Sequence, residues 1–330
     1  MSITDRIPDI PPRILPLPEK VKRPLWSVMI PVYNCIQFLE EAIESVLQQY
    51  PGEGEMEIEV VDDCSTDGDV GALVEKKGRG IVKYYRNKKN MGSLRNFETC
   101  INRAKGHYIH LLHGDDYVLD GFYTEIEHLF DLFPTAGAAF TDFDVVDEKK
   151  NFLRTEAKLQ GTPGVIDDAI GLLATTQRIQ TPAIVVRRNV YEKLGSFYAV
   201  ASCEDWLMWV RIAANYPVLY SPKNLACYRS RSNSLTSNSF VTGQYITDIT
   251  KVINLNANLL PLERKKKLTR QAKKHFAIYA AWISHEIYHD YKNKKAAMKM
   301  VGGAVKLHLN ITTLYLSFIL LVKMIIRYKE

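Results

Sequence analysis

Short apolar runs bounded by turn residues recur along the first third of the chain, at Trp26–Pro31, Glu57–Val61, Ile81–Tyr85 and Ile109–Leu112. Runs of this length between turn signals read as buried strands. The segments between them follow a different period. From Ile36 to Gln49, the residues Phe38, Leu39, Ala42, Ile43, Val46 and Leu47 fall at helical spacing. The polar turn Asp62–Asp69 can cap a following helix, and a further helix is predicted from Met91 to about Arg103. This β-α-β-α-β-α-β order predicts an α/β fold with a mostly parallel sheet covered by helices.

Beyond Leu112 the pattern loosens. A strand is predicted at Gly137–Val145. Another, Ala183–Val186, runs into a short helix at Arg188–Leu194 that Gly195 ends. An apolar helix follows at Trp206–Ala214, then short strands at Pro217–Tyr220 and Ala226–Tyr228, then a polar loop, Arg229–Ser234. From about Phe240 onward the pattern is helical. The last apolar stretch, Ile311–Val322, is short of the ~20 residues needed to span a bilayer; Lys323 and Arg327 follow it. Residues 1–25 carry Pro8, Pro11, Pro12, Pro16, Pro18 and Pro24. Proline lacks the helical donor and clashes with the preceding turn, so this stretch reads as an extended arm. The expected organisation is an arm (1–25), an α/β domain (26–238) and a basic helical region (239–330).

Composition sharpens this picture in two places. The five cysteines form no CxxC pair and no metal-ligand spacing, which fits a reducing cytoplasm. The N-terminus shows no apolar core of a secretory signal. The net charge of +6 is uneven: from Glu263 on there are 15 Lys+Arg against 4 Asp+Glu, leaving 28 against 33 in the remainder. A basic tail on a mildly acidic body points to an anionic partner, membrane surface or nucleic acid, or to an ordinary solvated helical face.

The chemistry concentrates at strand ends. The run Ile109–Leu112 leads through His113 into Gly114-Asp115-Asp116. In an open α/β sheet, ligands bind beyond the carboxyl ends of the strands, and carboxylates there can hold a hard divalent cation that bridges to phosphate oxygens. Asp62 and Asp63 form a second such pair. No GxGxxG follows the first strand and no GxxxxGK[ST] occurs, which argues against dinucleotide and P-loop modes. Phosphates would then fall to metal and to Arg86, Arg95, Arg229 and Arg231, since guanidinium suits bidentate phosphate contact. Glu204-Asp205 opens an apolar helix; it reads either as a cap or as a general base for an acceptor hydroxyl. His107, His110 and His113 recur along one strand, but a metal site there would need a further partner.

Taken together, Ser27-Val28-Met29-Ile30-Pro31-Val32-Tyr33-Asn34, Val60-Val61-Asp62-Asp63, Asn90-Met91-Gly92 with Arg95-Asn96, Gly114-Asp115-Asp116 and Glu204-Asp205 resemble the family 2 glycosyltransferases. The resemblance covers roughly residues 25–235. It implies the GT-A fold and an inverting, nucleotide-sugar-dependent enzyme. It further implies that Pro31, Tyr33 and Asn34 line the nucleotide pocket, that Asp63 accepts from the N3–H of uracil or thymine, and that Arg95 lies near base and phosphates. Asp115 corresponds to the last carboxylate of the family's DxD motif and binds Mg²⁺ or Mn²⁺, with Gly114 and Asp116 flanking it. Asp205 matches the catalytic base, with Glu204 on the acceptor side.

The chain departs from that pattern in three places. The first DxD position is His113, which leaves Asp115 as the main protein tie to metal. Arg231 stands where many relatives carry a histidine, so a fixed cation would face the leaving diphosphate. The QxxRW motif of processive synthases is absent at Gln177-Arg178, which favours transfer of a single sugar. The implied partners are a nucleotide-sugar donor and a glycan or lipid-linked glycan acceptor at the cytoplasmic face of a membrane, not nucleic acid. Two other classes compete with this reading. A non-catalytic nucleotide-sugar-binding protein is disfavoured by the presence of Asp63, Asp115 and Asp205. A nucleotidyltransferase would need a phosphate-cradling loop after the first strand. For Ile311–Val322, a packing helix or a dimer contact stands beside the membrane reading.

Overall fold

The structure is a computed structural model that describes residues 3–18, 20–232 and 234–326. Asn233 of the polar loop and the basic residues Arg327 and Lys329 lie outside the described residues. The chain packs as two compact units. The first comprises Met1–Ala169, Ile179–Ala199 and Asn215–Ser230; the second comprises Ile170–Arg178, Val200–Ala214 and Arg231–Glu330. Packing thus follows spatial grouping rather than a single cut in chain order.

With elements numbered along the chain, the first unit opens with a one-turn helix α1 (Ile3–Arg6). It continues through β1 (Trp26–Val32), α2 (Ile36–Leu47), β2 (Met56–Asp62), α3 (Val70–Lys77), β3 (Val82–Arg86), α4 (Ser93–Arg103) and β4 (Tyr108–Leu111). Each helix returns the chain to the start of the sheet, so β3-β2-β1-β4 pair in parallel. All seven residues of β1 are buried. The face under α2 is closed by Leu39, Ile43 and Val46 packed against Val28, Ile30 and Val60.

The sheet continues through β5 (Tyr117–Val118), β6 (Ala138–Val146), β7 (Phe152–Thr155), β8 (Gly164–Val165), β9 (Ile184–Arg187) and β10 (Val218–Arg229). Its path is β3-β2-β1-β4-β9-β6-β10-β5, with β7 on β6 and β8 on β10. Here β9 lies antiparallel to both β4 and β6, so the sheet is mixed. Two further differences have local causes. One helix beyond those the sequence pattern predicts, α5 (Phe122–Leu132), buries Phe122, Ile126, Leu129 and Phe130. The two short strands expected around residues 217–228 are one strand, β10, whose register shifts between Ser221 and Ala226. Pro222 lies in that bulge, where a missing ladder donor is tolerated.

The proline-rich arm packs on this unit. The carbonyls of Pro8 and Pro12 accept from Ala199 N (2.8 Å) and Ser196 N (2.9 Å), and Ile14 is buried. Between β9 and β10, α7 (Arg188–Leu194) belongs to the same unit.

The second unit is helical: α6 (Ala169–Leu173), α8 (Glu204–Ala213), α9 (Leu235–Thr242), α10 (Gln244–Ala257), α11 (Leu262–His289), α12 (Lys294–Leu307) and α13 (Ile311–Ile325). Trp206 on α8 anchors it: its ring packs on Phe276 of α11 at 4.5 Å, and its indole N–H donates to Leu173 O at 2.5 Å. Among the described residues, no helix is long and apolar enough to cross a membrane.

Candidate active site

Two backbone hydrogen bonds set the frame of the site in the first unit. Asp63 N donates to Val32 O (2.8 Å) and Gly114 N donates to Pro31 O (3.1 Å). They hold the turns after β2 and β4 against the end of β1, so Pro31, Asp63 and Gly114 meet at the carboxyl edge of the parallel strands. Gly114 is required by this closeness: a Cβ would lie 2.9 Å from Val32 Cγ2 and 3.1 Å from Cys35 Sγ. Pro31 is buried, whereas Tyr33 is 49% exposed. Asn34 joins the β1 and β2 turns: its Oδ1 accepts from Thr66 N at 2.8 Å and its own N donates to Ser65 Oγ at 3.1 Å.

Asp63 is buried and organises the loop before α4. Its Oδ1 accepts from Asn87 Nδ2 (2.9 Å) and Met91 N (2.8 Å), and its Oδ2 from Gly92 N (2.8 Å). Asn87 also donates to Asn96 Oδ1, and Asn96 in turn donates to Val61 O. Burial raises the carboxyl's pKa, against the lowering effect of those donors. A carboxylate oxygen has two acceptor positions, so Oδ2 retains one beyond the Gly92 bond.

At the end of β4, His113, Asp115 and Asp116 each offer a ligand atom, and these atoms lie within 4.8 Å of one another. His113 is stacked on Phe97, with ring centroids 5.3 Å apart and planes 6° apart, and its Nδ1 lies 3.8 Å from Asp116 Oδ2. One imidazole and two carboxylates on a single turn are a donor set that fits Mg²⁺ or Mn²⁺. The other two histidines lie elsewhere. His110 is buried between Tyr123 Oη (3.2 Å) and Pro182 O (3.0 Å), and burial lowers its pKa to about 3, which keeps it neutral. His107 is exposed just before β4.

Arg86, Arg95 and Arg229, expected at phosphates, are engaged by the protein. Arg86 pairs with Asp62 and donates to Ser65 O at 2.9 Å, bracing the β2 turn. Arg95 donates to Asp5 O at 2.9 Å and pairs with Glu98 at 2.7 Å; it lines an open cleft with Tyr85, Met91 and Arg103. Arg229 is almost fully buried and paired with Glu41. Its Nε donates to Asp115 O and its backbone N to Asp116 Oδ1, both at 2.8 Å. Arg229 is therefore a brace behind the acidic turn rather than a ligand in front of it.

Glu204, Asp205 and Arg231 belong to the second unit. Cys203, at φ +66°, turns the chain into α8, so that helix starts at Glu204 rather than Trp206. Asp205 Oδ1 accepts from Trp206 N at 2.7 Å and Oδ2 from Gln177 Nε2 at 2.8 Å. Surrounding protein raises the Asp205 carboxyl to about 6, against the lowering effect of both donors. Burial and the neighbouring Asp205 raise the Glu204 carboxyl as well. The preceding turn is pinned by Asp248, whose Oδ2 accepts from both Ser202 N and Ser202 Oγ at 3.1 Å. Gln177 and Asp248 carry no local sequence signal, because each meets its partner across a gap of 28 or 46 residues. Arg231 O accepts from Ser237 Oγ at 2.7 Å, at the start of α9.

The profile of Glycosyl transferase family 2 matches residues 27–195. An uncharacterized protein of Mycobacterium tuberculosis is 28% identical over 244 residues, covering 70% of this chain and 75% of that protein. The putative teichuronic acid biosynthesis glycosyltransferase TuaG of Bacillus subtilis is 27% identical over 232 residues, covering 66% and 84%. Among solved structures, S. aureus TarS 1–349 in complex with UDP-GlcNAc superposes with a TM-score of 0.67 at 16% identity, over 86% of this chain and 80% of that one. Mannosyltransferase PcManGT from Pyrobaculum calidifontis, in complex with GDP-Man and Mn²⁺, gives 0.58 at 17% identity, over 95% and 84%. These solved structures share the fold, and the profile spans the strands whose ends carry Asp63 and Asp115; the chain belongs to glycosyltransferase family 2 and is a glycosyltransferase of GT-A fold.

Proposed function

We propose that the chain moves one sugar from a nucleotide-diphosphate sugar, UDP- or dTDP-linked, to an acceptor hydroxyl with inversion, in the synthesis of a cell-surface polysaccharide or lipid-linked glycan. The observation that carries this reading is the convergence of Pro31, Asp63 and Gly114 at one strand edge, with His113, Asp115 and Asp116 clustered beside Gly114. The remaining acceptor position on Asp63 Oδ2 suits an imide N–H of a pyrimidine base, and exposed Tyr33 offers a face to a ring. His113, Asp115 and Asp116 would hold Mg²⁺ or Mn²⁺, which when bound stabilises negative charge on the leaving diphosphate.

Asp205 is the proposed base. A hydroxyl is a poor nucleophile, and a carboxylate with a pKa raised to about 6 is ionised at neutral pH yet better matched to proton transfer than an ordinary aspartate. Gln177 and the Trp206 amide fix its orientation. Glu204, whose pKa burial also raises, is assigned to the acceptor side. The relatives' printed names support a glycan setting, since TuaG is a putative teichuronic acid biosynthesis enzyme.

The test is a donor panel of UDP-, dTDP- and GDP-sugars with and without Mn²⁺, read by thermal shift and by product mass. Stabilisation by a pyrimidine donor and a product heavier by one sugar are expected. Binding of a donor without turnover on any acceptor would favour the non-catalytic reading.

A further inference from the structure

Helix α13 has its amphipathic faces reversed relative to an ordinary surface helix. The stripe it buries is Thr313, Ser317, Leu320 and Met324, half of it polar, and Ser317 Oγ donates back to Thr313 O at 2.7 Å. The stripe it exposes is apolar: Ile311, Leu314, Tyr315, Phe318, Ile325 and Ile326, with Ile311 86%, Phe318 64% and Ile325 79% exposed. At 3.6 residues per turn these positions cover an arc of roughly 120°. Trp282 of α11 is 54% exposed. His285 Nε2 lies 3.0 Å from Leu316 O and His289 Nε2 lies 3.3 Å from Lys323 Nζ. The two helices therefore run in the same direction, and Trp282, one turn before His285, falls beside the first turns of α13.

The segment that carries α13 is rich in cations, although Glu286 and Asp290 lie at the end of α11 beyond Trp282. From Tyr291 to Ile326 the chain carries Lys292, Lys294, Lys295, Lys299, Lys306 and Lys323 and no Asp or Glu. All but Lys323 are exposed. We propose that the outer face of α13, with Trp282 and these lysines, is a docking surface for an anionic lipid membrane, on which α13 lies in the headgroup plane. Apolar side chains on one broad arc with cations beside them match an interfacial helix, and each lysine near an anionic leaflet adds attraction. Fifteen residues make a helix of about 22 Å, shorter than the ~30 Å hydrocarbon core, so it lies on the membrane rather than across it. A second copy of the chain fits the patch poorly. A two-fold contact would set this lysine-rich, acid-free segment against itself.

The test is co-sedimentation of the full chain with vesicles of phosphatidylcholine alone and of phosphatidylcholine with phosphatidylglycerol, at low and high salt. Binding to the anionic vesicles, weakened by salt, is expected. The double variant Phe318→Glu/Ile325→Glu, both on the exposed stripe, should retain the wild-type melting profile and lose at least about tenfold in vesicle partitioning. The triple variant Lys292→Gln/Lys294→Gln/Lys295→Gln should lose the preference for anionic vesicles. Undiminished partitioning of the Glu variant would overturn the proposal. So would the absence of vesicle binding together with a concentration-dependent dimer that the Glu variant abolishes, which would assign the face to a second copy.

Discussion

Gln177 and Asp205 meet across 2.8 Å although 28 residues separate them in the chain. The amide donates to a carboxylate whose pKa burial has already raised to about 6, and this bond partly restores the ionised form. The proposed base is thus set by two opposed effects, and each can be altered separately.

Asp205→Asn should stop sugar transfer while leaving the donor-induced thermal shift nearly intact, because the change removes a proton acceptor and little volume. Gln177→Ala removes a donor that favours the ionised carboxylate, so the Asp205 pKa should rise. The acid limb of the kcat/KM profile, expected near pH 6 in the parent enzyme, should then move to higher pH. An unmoved limb with reduced kcat would show that Gln177 supports the fold of the site and not its titration.

The raised pKa also makes a stability statement. A carboxyl whose folded pKa exceeds its unfolded value is most favourable to folding when protonated, and that contribution is lost as pH rises through the folded pKa, here about 6. Relative to a pH-independent loss from the amide nitrogen it sets against the Trp206 or Gln177 N–H, Asp205→Asn should therefore gain thermal stability above pH 6 by on the order of 1 kcal/mol after solvent screening. The gain should vanish below about pH 4, where the unfolded carboxyl is protonated as well. Melting curves of the two proteins across this range check the sign.

At the acidic turn, Asp115→Asn should lower Mn²⁺ affinity and abolish metal-dependent donor turnover. His113→Ala should weaken Mn²⁺ by about 10–100-fold if the imidazole is a ligand. Titration followed by Mn²⁺ paramagnetic resonance reads both without an acceptor. Equal affinity in His113→Ala and the parent would confine His113 to its stacking on Phe97.

Behind that turn, Arg229→Ala should destabilise the protein by about 1–3 kcal/mol, because it leaves the Asp115 carbonyl without its buried donor while Glu41 keeps its pairing with Lys150. Arg229→Lys should recover only part of this, since an ammonium cannot reproduce the guanidinium fork. Denaturant unfolding measures the loss; a change under 1 kcal/mol would contradict the bracing role.

Asp63→Asn should uncouple the α4 loop. An amide nitrogen placed against the Met91 or Gly92 N–H turns an acceptor into a donor, at a cost of about 1–3 kcal/mol. Donor affinity should fall with it, measurable by calorimetry with UDP.

What the sequence determined by itself is the part of the molecule built from local repetition. The alternation of buried runs and helical spacing from Trp26 to Leu112 was enough to order β1 to β4 in parallel. A crossover helix between strands leaves few other topologies. The residues at those strand ends were legible too, because strand-end position is a property of the run that precedes it. Elements whose pattern was broken were not. Pro222 hid the continuity of β10, and β9 gives no sign that it inserts antiparallel between β4 and β6. Tertiary structure alone decided which polar groups are spent inside the protein. Arg86, Arg95 and Arg229 looked alike in the chain, yet Asp62, Glu98 and Glu41 occupy them. Likewise only the folded chain brings Gln177 to Asp205 and Asp248 to Ser202. The physical reason is range: helix and strand periods act over a few residues, whereas burial and hydrogen-bond partnership depend on neighbours that the sequence places tens of residues away.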